Sequence, residues 1–470
     1  MRAKKFSPLI KALIALCCIL LIAAGVYIYD NTVDRSGWVE QDGIYYYRDF
    51  HAKRVSGWQD IDGYRYYFGD DKAMVTHWQD IDGNRYYFGA DGTMDTLWQD
   101  VDGRRYYLGT DGIMQTGWRN VDTERYYFGP DGAMHTEWLE LEGKHYYLGE
   151  KGAMVSGWMT LEGDHYYMGE TGAMTIGWLR LDTGRYYFDE QGHLVTGKQE
   201  LEGNHYYFLN DGTMFTGWED TDAGRCYYDS EGIQAFGWAE IEEKRYFFDD
   251  NGIMQTGWHE EGEYRYYLQE DGSAAVGPLT LDRQQYYFSP TGIHVILVNS
   301  RNKVPAYYKA ELETLFGWHV VDKTCLEPLQ QMLADCEAAG NTYDFNSAYR
   351  SVAAQVQILE TRTAEYEAQG YDHDAAYAKA RQTVALPGTS EHHLGLAVDI
   401  LGEDAINWLH EHCWEYGFIV RYYGEKSHIT GIINEPWHFR YVGTRVSLEL
   451  KDSGLCLEEY LGAHPIENAE

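Results

Sequence analysis

The sequence predicts a multidomain protein with an N-terminal transmembrane helix, a solenoid of β-hairpin repeats, and a C-terminal α+β domain with a small antiparallel sheet. Three observations predict this order. Residues 12–29 are uninterruptedly apolar or aromatic. Tryptophan recurs from Trp38 to Trp258 at gaps of twenty residues or a multiple of twenty, and this period stops near residue 296. The boundaries that we predict from these changes are 1–30, 31–295 and 296–470.

The composition excludes two classes of protein. The chain of 470 residues has 38 Lys and Arg against 74 Asp and Glu, a net charge of −36. A chain this acidic lacks the surface that would neutralise a phosphate backbone, so no nucleic acid partner is expected. With 44% hydrophobic residues it has enough apolar surface to fold, and it is not a disordered polyanion.

The N-terminus has the charge order of an export signal. Basic residues precede the apolar run and polar residues follow it: Arg2, Lys4, Lys5 and Lys11 before it, and Asp30, Asn31 and Asp34 after it. The run of 18 residues is just long enough to span a bilayer. A signal peptidase could use Ala23-Ala24-Gly25, but no polar stretch leads up to it. We therefore favour an uncleaved membrane anchor over a cleaved, secreted form, and we expect everything after residue 30 on the extracellular face.

The middle of the chain is a twenty-residue repeat. A tyrosine pair recurs in the same register as the tryptophan, and a methionine closes most units. The tryptophans are Trp38, Trp58, Trp78, Trp98, Trp118, Trp138, Trp158, Trp178, Trp218, Trp238 and Trp258. Lys198 and Pro278 stand at the tryptophan position of two late units. The array therefore has about thirteen copies.

Each copy is predicted to be a β-hairpin. In the unit that begins at Trp58, the step Asp62-Gly63 lies between two short β-favouring runs, which is the strongest short-range hairpin signal. A two-stranded hairpin is marginally stable alone in water, so its Trp, Tyr and Met side chains must pack on the next unit. Stacked hairpins of this kind form a β-solenoid.

Over about residues 36–295 the units resemble the cell-wall-binding repeats of the choline-binding and glucan-binding proteins of Gram-positive bacteria. In that family an aromatic cage between hairpins can hold a quaternary ammonium, which ring faces attract. Here the residue before the tyrosine pair is an arginine or histidine, such as Arg65 or His145, where the choline-binding version usually has tryptophan. The resemblance implies a wall polymer or glycan as partner and leaves its identity open.

Two segments of the last third are rich in side chains that can bind a metal. They are Ser390-Glu391-His392-His393-Leu394-Gly395-Leu396-Ala397-Val398-Asp399 and Asn434-Glu435-Pro436-Trp437-His438. His392 and Asp399 can share an ion only if the chain bends between them, and Gly395 permits that bend. In the second segment we expect Pro436 to stiffen a turn between Glu435 and His438.

These residue types fit a hydrolytic zinc site. The imidazoles of His392 and His438 with the carboxylate of Asp399 make three ligands, which leaves a fourth position for a water whose pKa falls to about 7. Glu435, three residues from a ligand, can take the proton of that water and pass it to a leaving amine. The five cysteines that follow the apolar run contain no CxxC pair, so the sequence does not support a thiolate zinc site or redox motif.

The combination SxHxxGxAxD followed by EPWH resembles the VanY-type D-alanyl-D-alanine carboxypeptidases, zinc enzymes that trim peptidoglycan stem peptides. The likeness runs from about Leu297 to Gly443. It implies one Zn²⁺ per chain, bound by His392, Asp399 and His438, and Glu435 as the catalytic base. The register of the motif selects His392 over the adjacent His393.

The same resemblance implies roles for three further residues. Arg350 would bind the C-terminal carboxylate of the substrate or the developing oxyanion, a task that suits a guanidinium fork. Gln355 and Ser390 would contact the substrate. Helical segments at 352–369 and 375–384 are expected to cover a small antiparallel sheet.

The resemblance implies a zinc-dependent carboxypeptidase that removes the terminal D-Ala from peptidoglycan stem peptides and is positioned on the cell wall by its repeats. Two alternatives within the family stay open, namely L,D-carboxypeptidase and D,D-dipeptidase action. A third belongs to another class: a wall-binding adhesin whose peptidase domain is vestigial.

Overall fold

The structure is a computed structural model that describes residues 7–32 and 34–463. Its first element is the helix α1, Pro8–Thr32. Within this helix Pro8–Ile28 has a mean hydropathy of 2.7 and no buried residue, so it is long and apolar enough to cross a membrane. A signal sequence would pass the same test. Of the basic residues assigned to the export signal, Arg2, Lys4 and Lys5 lie outside the described residues.

The chain divides into two compact units, Met1–Gly197 with Phe208–Met214, and Lys198–Tyr207 with Phe215–Glu470. Thirteen two-stranded antiparallel hairpins precede the C-terminal domain in the described residues. Their strands are β1 (Gly37–Gln41), β2 (Ile44–Arg48), β3 (Gly57–Ile61), β4 (Tyr64–Phe68), β5 (His77–Ile81), β6 (Asn84–Phe88), β7 (Leu97–Val101), β8 (Arg104–Leu108), β9 (Gly117–Val121), β10 (Glu124–Phe128), β11 (Glu137–Leu141), β12 (Lys144–Leu148), β13 (Gly157–Leu161), β14 (Asp164–Met168), β15 (Gly177–Leu181), β16 (Gly184–Phe188), β17 (Gly197–Leu201), β18 (Asn204–Phe208), β19 (Gly217–Thr221), β20 (Gly224–Tyr228), β21 (Gly237–Ile241), β22 (Lys244–Phe248), β23 (Gly257–Glu261), β24 (Tyr264–Leu268), β25 (Gly277–Leu281) and β26 (Gln284–Phe288). The predicted repeat of hairpins is confirmed.

The turn chemistry of the repeats follows from their sequence. Asp62 has φ 50° and Gly63 has φ 86°, and positive φ at both central residues is the mark of a type I′ turn. The strands that this turn joins place Trp58 opposite Tyr67. Such turns match the right-handed twist of the two strands, so the Asp-Gly step fixes the register of the hairpin.

Successive hairpins complete each other's core. The ring of Trp58 lies 5.1 Å from Tyr67 of its own hairpin and 4.9 Å from Tyr86 of the next, both edge to face. The backbone N–H of Met94 donates to the carbonyl of Arg65 at 2.7 Å, which joins neighbouring units through the main chain. Each unit therefore depends on the next one for burial of its aromatic face.

A glycine in each repeat permits this close stacking. At Gly92 φ is +80°, and a Cβ built there would lie 2.2 Å from Sδ of Met74 in the preceding unit. Any side chain would therefore both strain the backbone and displace the methionine. This explains why glycine stands two residues before the closing methionine in most units that have one.

The second unit continues from the last hairpins into an α+β domain. Its elements are β27 (Leu312–Phe316), β28 (His319–Asp322), α2 (Lys323–Ala338), β29 (Asp344–Ser347), α3 (Val352–Ala368), α4 (His373–Ala380), β30 (Ala397–Leu401), α5 (Glu403–His412), β31 (Phe418–Tyr422), α6 (Ser427–Thr430), β32 (Glu435–Tyr441), α7 (Thr444–Lys451) and α8 (Leu457–Tyr460), with 3₁₀ turns at Glu391–Leu394, Cys413–Tyr416 and Gly424–Lys426. The sheet has the order β29-β30-β32-β31, and each neighbouring pair is antiparallel. The expected small antiparallel sheet is confirmed.

The helices that cover this sheet differ from the expected ones. The core of the domain joins Val398 and Phe439 of the sheet to Leu329 of α2 and Leu409 of α5. Helices α3 and α4 instead pack on each other through a separate cluster of Leu359, Ala380 and Val384. Sequence periodicity shows that a helix has an apolar face, but it does not show which partner buries that face.

The last hairpins share the core of the α+β domain. Tyr266, Ile293 and Val295 are buried in the same cluster as the sheet residues. Across this contact the hydroxyl of Tyr441 donates to Oε2 of Glu263 at 2.7 Å. The domain boundary between residues 295 and 296 stays a prediction. Hydrophobic side chains on both sides of this boundary pack in one core.

Candidate metal and substrate site

The bend that brings the first motif together is a 3₁₀ turn. Glu391–Leu394 form the turn, and Gly395 ends it with φ 71°. A Cβ at this glycine would lie 2.8 Å from the backbone nitrogen of Asp322, so both the conformation and the space require glycine. The chain then enters β30, where Asp399 follows two residues after Ala397.

Three buried donors meet at the centre of the sheet. Asp399 on β30 is the cross-strand neighbour of His438 on β32, and their Oδ1 and Nδ1 atoms are 2.9 Å apart. Nε2 of His392 lies 3.2 Å from Oδ2 of Asp399. One ligand atom from each residue lies within 4.8 Å of the others. The structure thus brings together the three residues that the sequence motif proposes as ligands.

The outer nitrogen of each imidazole faces another polar group. Nδ1 of His392 donates to the carbonyl of Ala348 at 2.7 Å, which leaves Nε2 facing Asp399. For His438 the arrangement is reversed, since Nδ1 faces Asp399 and Nε2 points towards Oε2 of Glu391 at 3.6 Å. Contacts of this kind fix the ring orientation and the tautomer of a metal-ligating histidine.

Glu391 belongs to a buried ion network that sequence reasoning did not identify as functional. Its Oε1 accepts from Nε of Arg421 at 2.9 Å and lies 3.1 Å from Nη1 of Arg440. Arg421 also donates to Glu458 through both terminal nitrogens. Burial raises the pKa of Glu391, but Arg421 and Arg440 hold it well below its usual value. No sequence signal links these distant residues, although Glu391 and Arg440 flank proposed site residues.

Glu435 and Pro436 lie in β32, so the expected turn between Glu435 and His438 is wrong. Residues three apart on a regular strand point to opposite faces. Here the pairing with β31 shifts between Val420 and Tyr422, and such a bulge re-aims side chains. As a result Oε2 of Glu435 lies 3.9 Å from Nδ1 of His438, beside the three donors.

The environment of Glu435 suits a proton acceptor. Burial raises its pKa to about 7, an effect that the positive charge of His438 opposes and the negative charge of Asp399 reinforces. A general base works best when its pKa lies near the working pH. The carboxylate is thus able to exchange a proton near neutrality.

The donors themselves have shifted pKa values. Burial would raise the pKa of Asp399, but His392 and His438 hold it well below its ordinary value. Burial lowers the pKa of His392, so its imidazole is neutral. Burial acts in the same direction on His438, but its hydrogen bond to Asp399 and the nearby carboxylate of Glu391 outweigh burial and raise the pKa to about 9.

Arg350 reaches directly into the donor set. Its Nη2 donates to Oδ2 of Asp399 at 2.6 Å and to Nε2 of His392 at 3.0 Å, while Nε donates to Ser347 at 2.8 Å. Gln355 is buried and donates to the carbonyl of Ala385 at 2.8 Å. Its Oε1 lies 3.5 Å from Nη1 of Arg350, so Gln355 is placed to orient the guanidinium as well as to line the cleft.

Ser390 and His393 complete the set of predicted positions. Ser390 is buried and lines the cleft at the start of the 3₁₀ turn. His393 faces away from the donors, because Nδ1 donates to the carbonyl of Arg350 at 2.7 Å and Nε2 accepts from the N–H of Gly388 at 3.1 Å. Both ring nitrogens of His393 are therefore engaged by backbone, whereas His392 lies beside Asp399.

A cleft of about 640 Å³ opens over the donors and runs along α3. One face of this helix lines it, through Gln355, Ile358, Arg362 and Tyr366. These positions follow the spacing of a single helical face. Tyr422, which the sequence motifs did not include, closes the cleft near His438, with ring centroids 5.0 Å apart.

The donor set fits zinc. Two imidazole nitrogens and one carboxylate oxygen are ligands that catalytic zinc sites use, with a further position left for water or substrate. Nδ1 of His438 and Nε2 of His392 are the nitrogens turned towards Asp399. A metal ion requires the lone pair of His392 that accepts from Arg350, so metal binding and that hydrogen bond exclude each other.

The fold and the site thus define a hairpin-repeat protein that ends in an α+β domain with a donor set typical of hydrolytic metal sites. The VanY family, described as D-alanyl-D-alanine carboxypeptidase, matches residues 318–444. Choline-binding repeats match residues 55–94, 75–114, 96–134, 115–156 and 235–278. Residues 318–444 thus form a VanY-type domain, and choline-binding repeats precede it.

Curated relatives match the C-terminal part. A D-alanyl-D-alanine carboxypeptidase of Enterococcus faecalis is 45% identical over 175 residues, which are 36% of this chain and 65% of that protein. The chain thus spans slightly less than two thirds of the length of this relative.

Two solved structures resemble different parts of the chain. Choline binding protein F of Streptococcus pneumoniae, in the presence of a peptidoglycan analogue, is 26% identical, with a TM-score of 0.40 over 51% of this chain and 98% of that one. A mutant of the D,D-pentapeptidase VanY from the VanB-type resistance cassette, in complex with Zn(II), is 44% identical, with a TM-score of 0.35 over 35% of this chain and 97% of that one.

Proposed function

We propose that this protein is a zinc-dependent D-alanyl-D-alanine carboxypeptidase that acts on peptidoglycan stem peptides. The observation that carries the proposal is the convergence of ligand atoms from His392, Asp399 and His438 within 4.8 Å, beside the carboxylate of Glu435. The match to the VanY family supports the reaction class. A bound zinc ion supplies Lewis-acid polarisation of the scissile carbonyl and of the attacking water.

Glu435 performs the proton transfers in this proposal. Its carboxylate accepts a proton from the water that attacks the scissile carbonyl and then donates it to the nitrogen of the departing D-Ala. With a pKa raised to about 7 by burial, the group can carry out both steps near neutral pH. Its position beside His438 keeps it next to the reacting atoms.

Arg350 binds the negative end of the substrate. Its side chain is 22% exposed and lines the cleft, so the guanidinium can form paired hydrogen bonds with a terminal carboxylate or stabilise the oxyanion. Oε1 of Gln355 accepts from Nη1 of the guanidinium, and Ser390 lines the same cleft. When metal and substrate bind, we expect the guanidinium to turn from His392 to the substrate.

The length of the cleft favours a long peptide. From Gln355 to Tyr366 the lining helix rises about 16 Å, a distance that about five extended residues cover. A free D-Ala-D-Ala dipeptide would occupy only the end at the metal donors. We therefore favour a pentapeptide stem over the dipeptide, while the choice between D,D- and L,D-cleavage depends on contacts of single side chains.

The repeats attach the enzyme to the cell wall in this proposal. Their resemblance to choline-binding repeats supports that role. In many units a guanidinium occupies the tryptophan face, as Arg65 does over Trp58 at 4.6 Å, so a ligand cation would compete with it. Trp138 and Trp158 have histidine neighbours, His145 and His165, and are partly exposed.

Together with α1 as anchor or signal, the array would hold the domain outside the membrane.

The decisive experiment compares three substrates with one protein. Residues 31–470 should contain about one zinc and release D-Ala from a pentapeptide faster than from a tetrapeptide or free D-Ala-D-Ala. Failure to cleave any of them, together with absence of zinc, would favour the adhesin with a vestigial domain. Sedimentation of residues 31–295 with purified walls tests the attachment separately.

A further inference from the structure

A second cleft, distinct from the metal-donor cleft, lies where the last hairpin meets the loop that follows it. This junction cleft of about 400 Å³ is lined by residues 283–287 of β26 and its turn, by 295–297, and by 301–307. It shares no lining residue with the metal-donor cleft. Both belong to the compact unit that contains residues 215–470.

The charge of the junction cleft is opposite to that of the chain. Arg283, Arg301 and Lys303 line it, and none of its lining residues is acidic. All three side chains are exposed, and no ion pair with them occurs among the described residues. In the repeats, by contrast, arginines such as Arg265 lie over a tryptophan ring and beside a carboxylate. Three unpaired cations in a chain of net charge −36 form a local site for an anion.

Three tyrosines, Tyr286, Tyr287 and Tyr307, line the same cleft as these cations. Tyr286 and Tyr307 are stacked, with centroids 4.9 Å apart and planes at 17°. Tyr287 faces Pro278 across the hairpin, where other units place tryptophan, as Trp258 lies opposite Tyr267. Tyr287 is half-buried against the core of the α+β domain and also lines the cleft. Its hydroxyl is oriented by a 2.7 Å hydrogen bond to Asn302.

We propose that the junction cleft binds an anionic carbohydrate, that is, a saccharide or polyol chain that carries carboxylate or phosphate groups. Tyrosine faces present apolar surface to the C–H face of a sugar, and their hydroxyls bond its oxygens. Guanidinium groups and an ammonium recognise carboxylate and phosphate oxygens. No other position in the described repeats combines a missing tryptophan with three unpaired cations.

This site would act independently of catalysis. Because it belongs to the same compact unit as the metal donors, a polymer held there would raise the local concentration of neighbouring stem peptides. The net negative charge of the chain repels an anionic polymer, whereas the cations of the junction cleft attract it. The proposal does not depend on the peptidase reaction, since no residue of the junction cleft touches the donor set.

The test uses residues 31–470 and isothermal titration calorimetry with three probes. These are a muramic acid-containing disaccharide, which carries a carboxylate, oligo(glycerol phosphate), and neutral N,N′-diacetylchitobiose. One variant combines Arg283→Gln, Arg301→Gln and Lys303→Gln. Its matched control, with the same loss of charge, combines Lys53→Gln, Lys151→Gln and Arg180→Gln, three exposed cations of the array. Circular dichroism verifies the fold of both.

We expect at least one anionic probe to bind the native protein and the control equally, and the junction variant at least tenfold more weakly. Which probe binds distinguishes a glycan carboxylate from a polyol phosphate. Tyr307→Ala should also weaken that probe without a change of charge. Equal affinity of the junction variant and the control, equal binding of the neutral disaccharide, or absence of binding by both anionic probes would each overturn the proposal.

Discussion

Oε2 of Glu391 lies 3.6 Å from Nε2 of His438, and neither atom has a hydrogen-bond partner in the described part of the chain. Both are buried. A small movement would let Nε2–H donate to this carboxylate, and Nδ1 would then keep its lone pair for a metal. Arg421 and Arg440 hold Glu391 ionised and in place. Glu391 is therefore a positioning residue for His438 in the proposed site.

The first prediction concerns this contact. Glu391→Gln should weaken zinc binding by about 10- to 100-fold, because a neutral amide accepts less strongly from His438. It should also lower the free energy of unfolding by about 3 kcal/mol, since Arg421 and Arg440 lose a buried counter-charge. Competition with a chromophoric chelator and thermal unfolding measure the two effects.

A surface glutamate provides the control. Glu260 pairs with Arg265 at 3.1 Å but is 69% exposed, so Glu260→Gln should change neither zinc affinity nor stability by a measurable amount. If Glu391→Gln behaves like this control, the buried network has no part in holding His438.

The second prediction concerns the pH dependence of zinc binding. In the metal-free protein the pKa of His438 is raised to about 9, so its imidazole is protonated at neutral pH. Zinc must displace that proton, and its apparent affinity should fall about tenfold for each pH unit below 9. Calorimetry in buffers of different ionisation enthalpy should detect release of about one proton per zinc at pH 7. An affinity that does not change between pH 6 and 8 would contradict this protonation state.

The third prediction separates the base from the ligands. Glu435→Gln should retain about one zinc per chain and lose more than 100-fold in kcat, because proton transfer by a positioned group contributes on that order. Zinc content by atomic absorption and release of D-Ala measure the two properties. Full activity of this variant would exclude Glu435 as the base.

The same variant should affect the stability of the metal-free protein with a defined sign. Since burial raises the pKa of Glu435 from 4.5 to about 7, the folded state binds more protons than the unfolded state between these values. The native glutamate therefore costs stability as pH rises through this window. Glu435→Gln should remove that cost, so that its gain in unfolding free energy is about 2 kcal/mol larger at pH 8 than at pH 5. Urea unfolding at the two pH values, with chelator present, gives this difference.

Much of this arrangement could be predicted from the sequence, because its signals are local. The Asp62-Gly63 step and the twenty-residue period specify the hairpins. The motif around His392 and Asp399 contains two of the three proposed ligands, and the motif that ends at His438 contains the third. The ion network of Glu391 could not be predicted. Its ion pairs join residues 30 or more positions apart, and only the tertiary fold brings them together. The strand conformation of Glu435 and Pro436 was also missed, because it depends on a bulge against β31.

The fourth prediction concerns Arg350. Arg350→Lys should lower kcat/KM by about 100-fold, since an ammonium cannot form the paired hydrogen bonds of a guanidinium. Zinc affinity should be unchanged or higher, because the hydrogen bond of Arg350 to His392 competes with the metal. Steady-state kinetics and chelator competition test both parts. A loss of zinc together with activity would mean that Arg350 supports the ligands and does not act on the substrate.

The fifth prediction concerns the smallest stable catalytic fragment. Residues 296–470 lack Tyr266, Ile293 and Val295, which are buried in the core of the α+β domain. Loss of three such side chains removes about 5 kcal/mol or more of hydrophobic stabilisation, a large part of the 5–15 kcal/mol that stabilises a typical domain. This fragment should therefore unfold at a much lower temperature than residues 215–470, which keep these contacts and the hydrogen bond of Tyr441 to Glu263. Calorimetry of both fragments at equal zinc saturation measures their melting temperatures. Equal values would show that the C-terminal domain begins at the sequence boundary near residue 296.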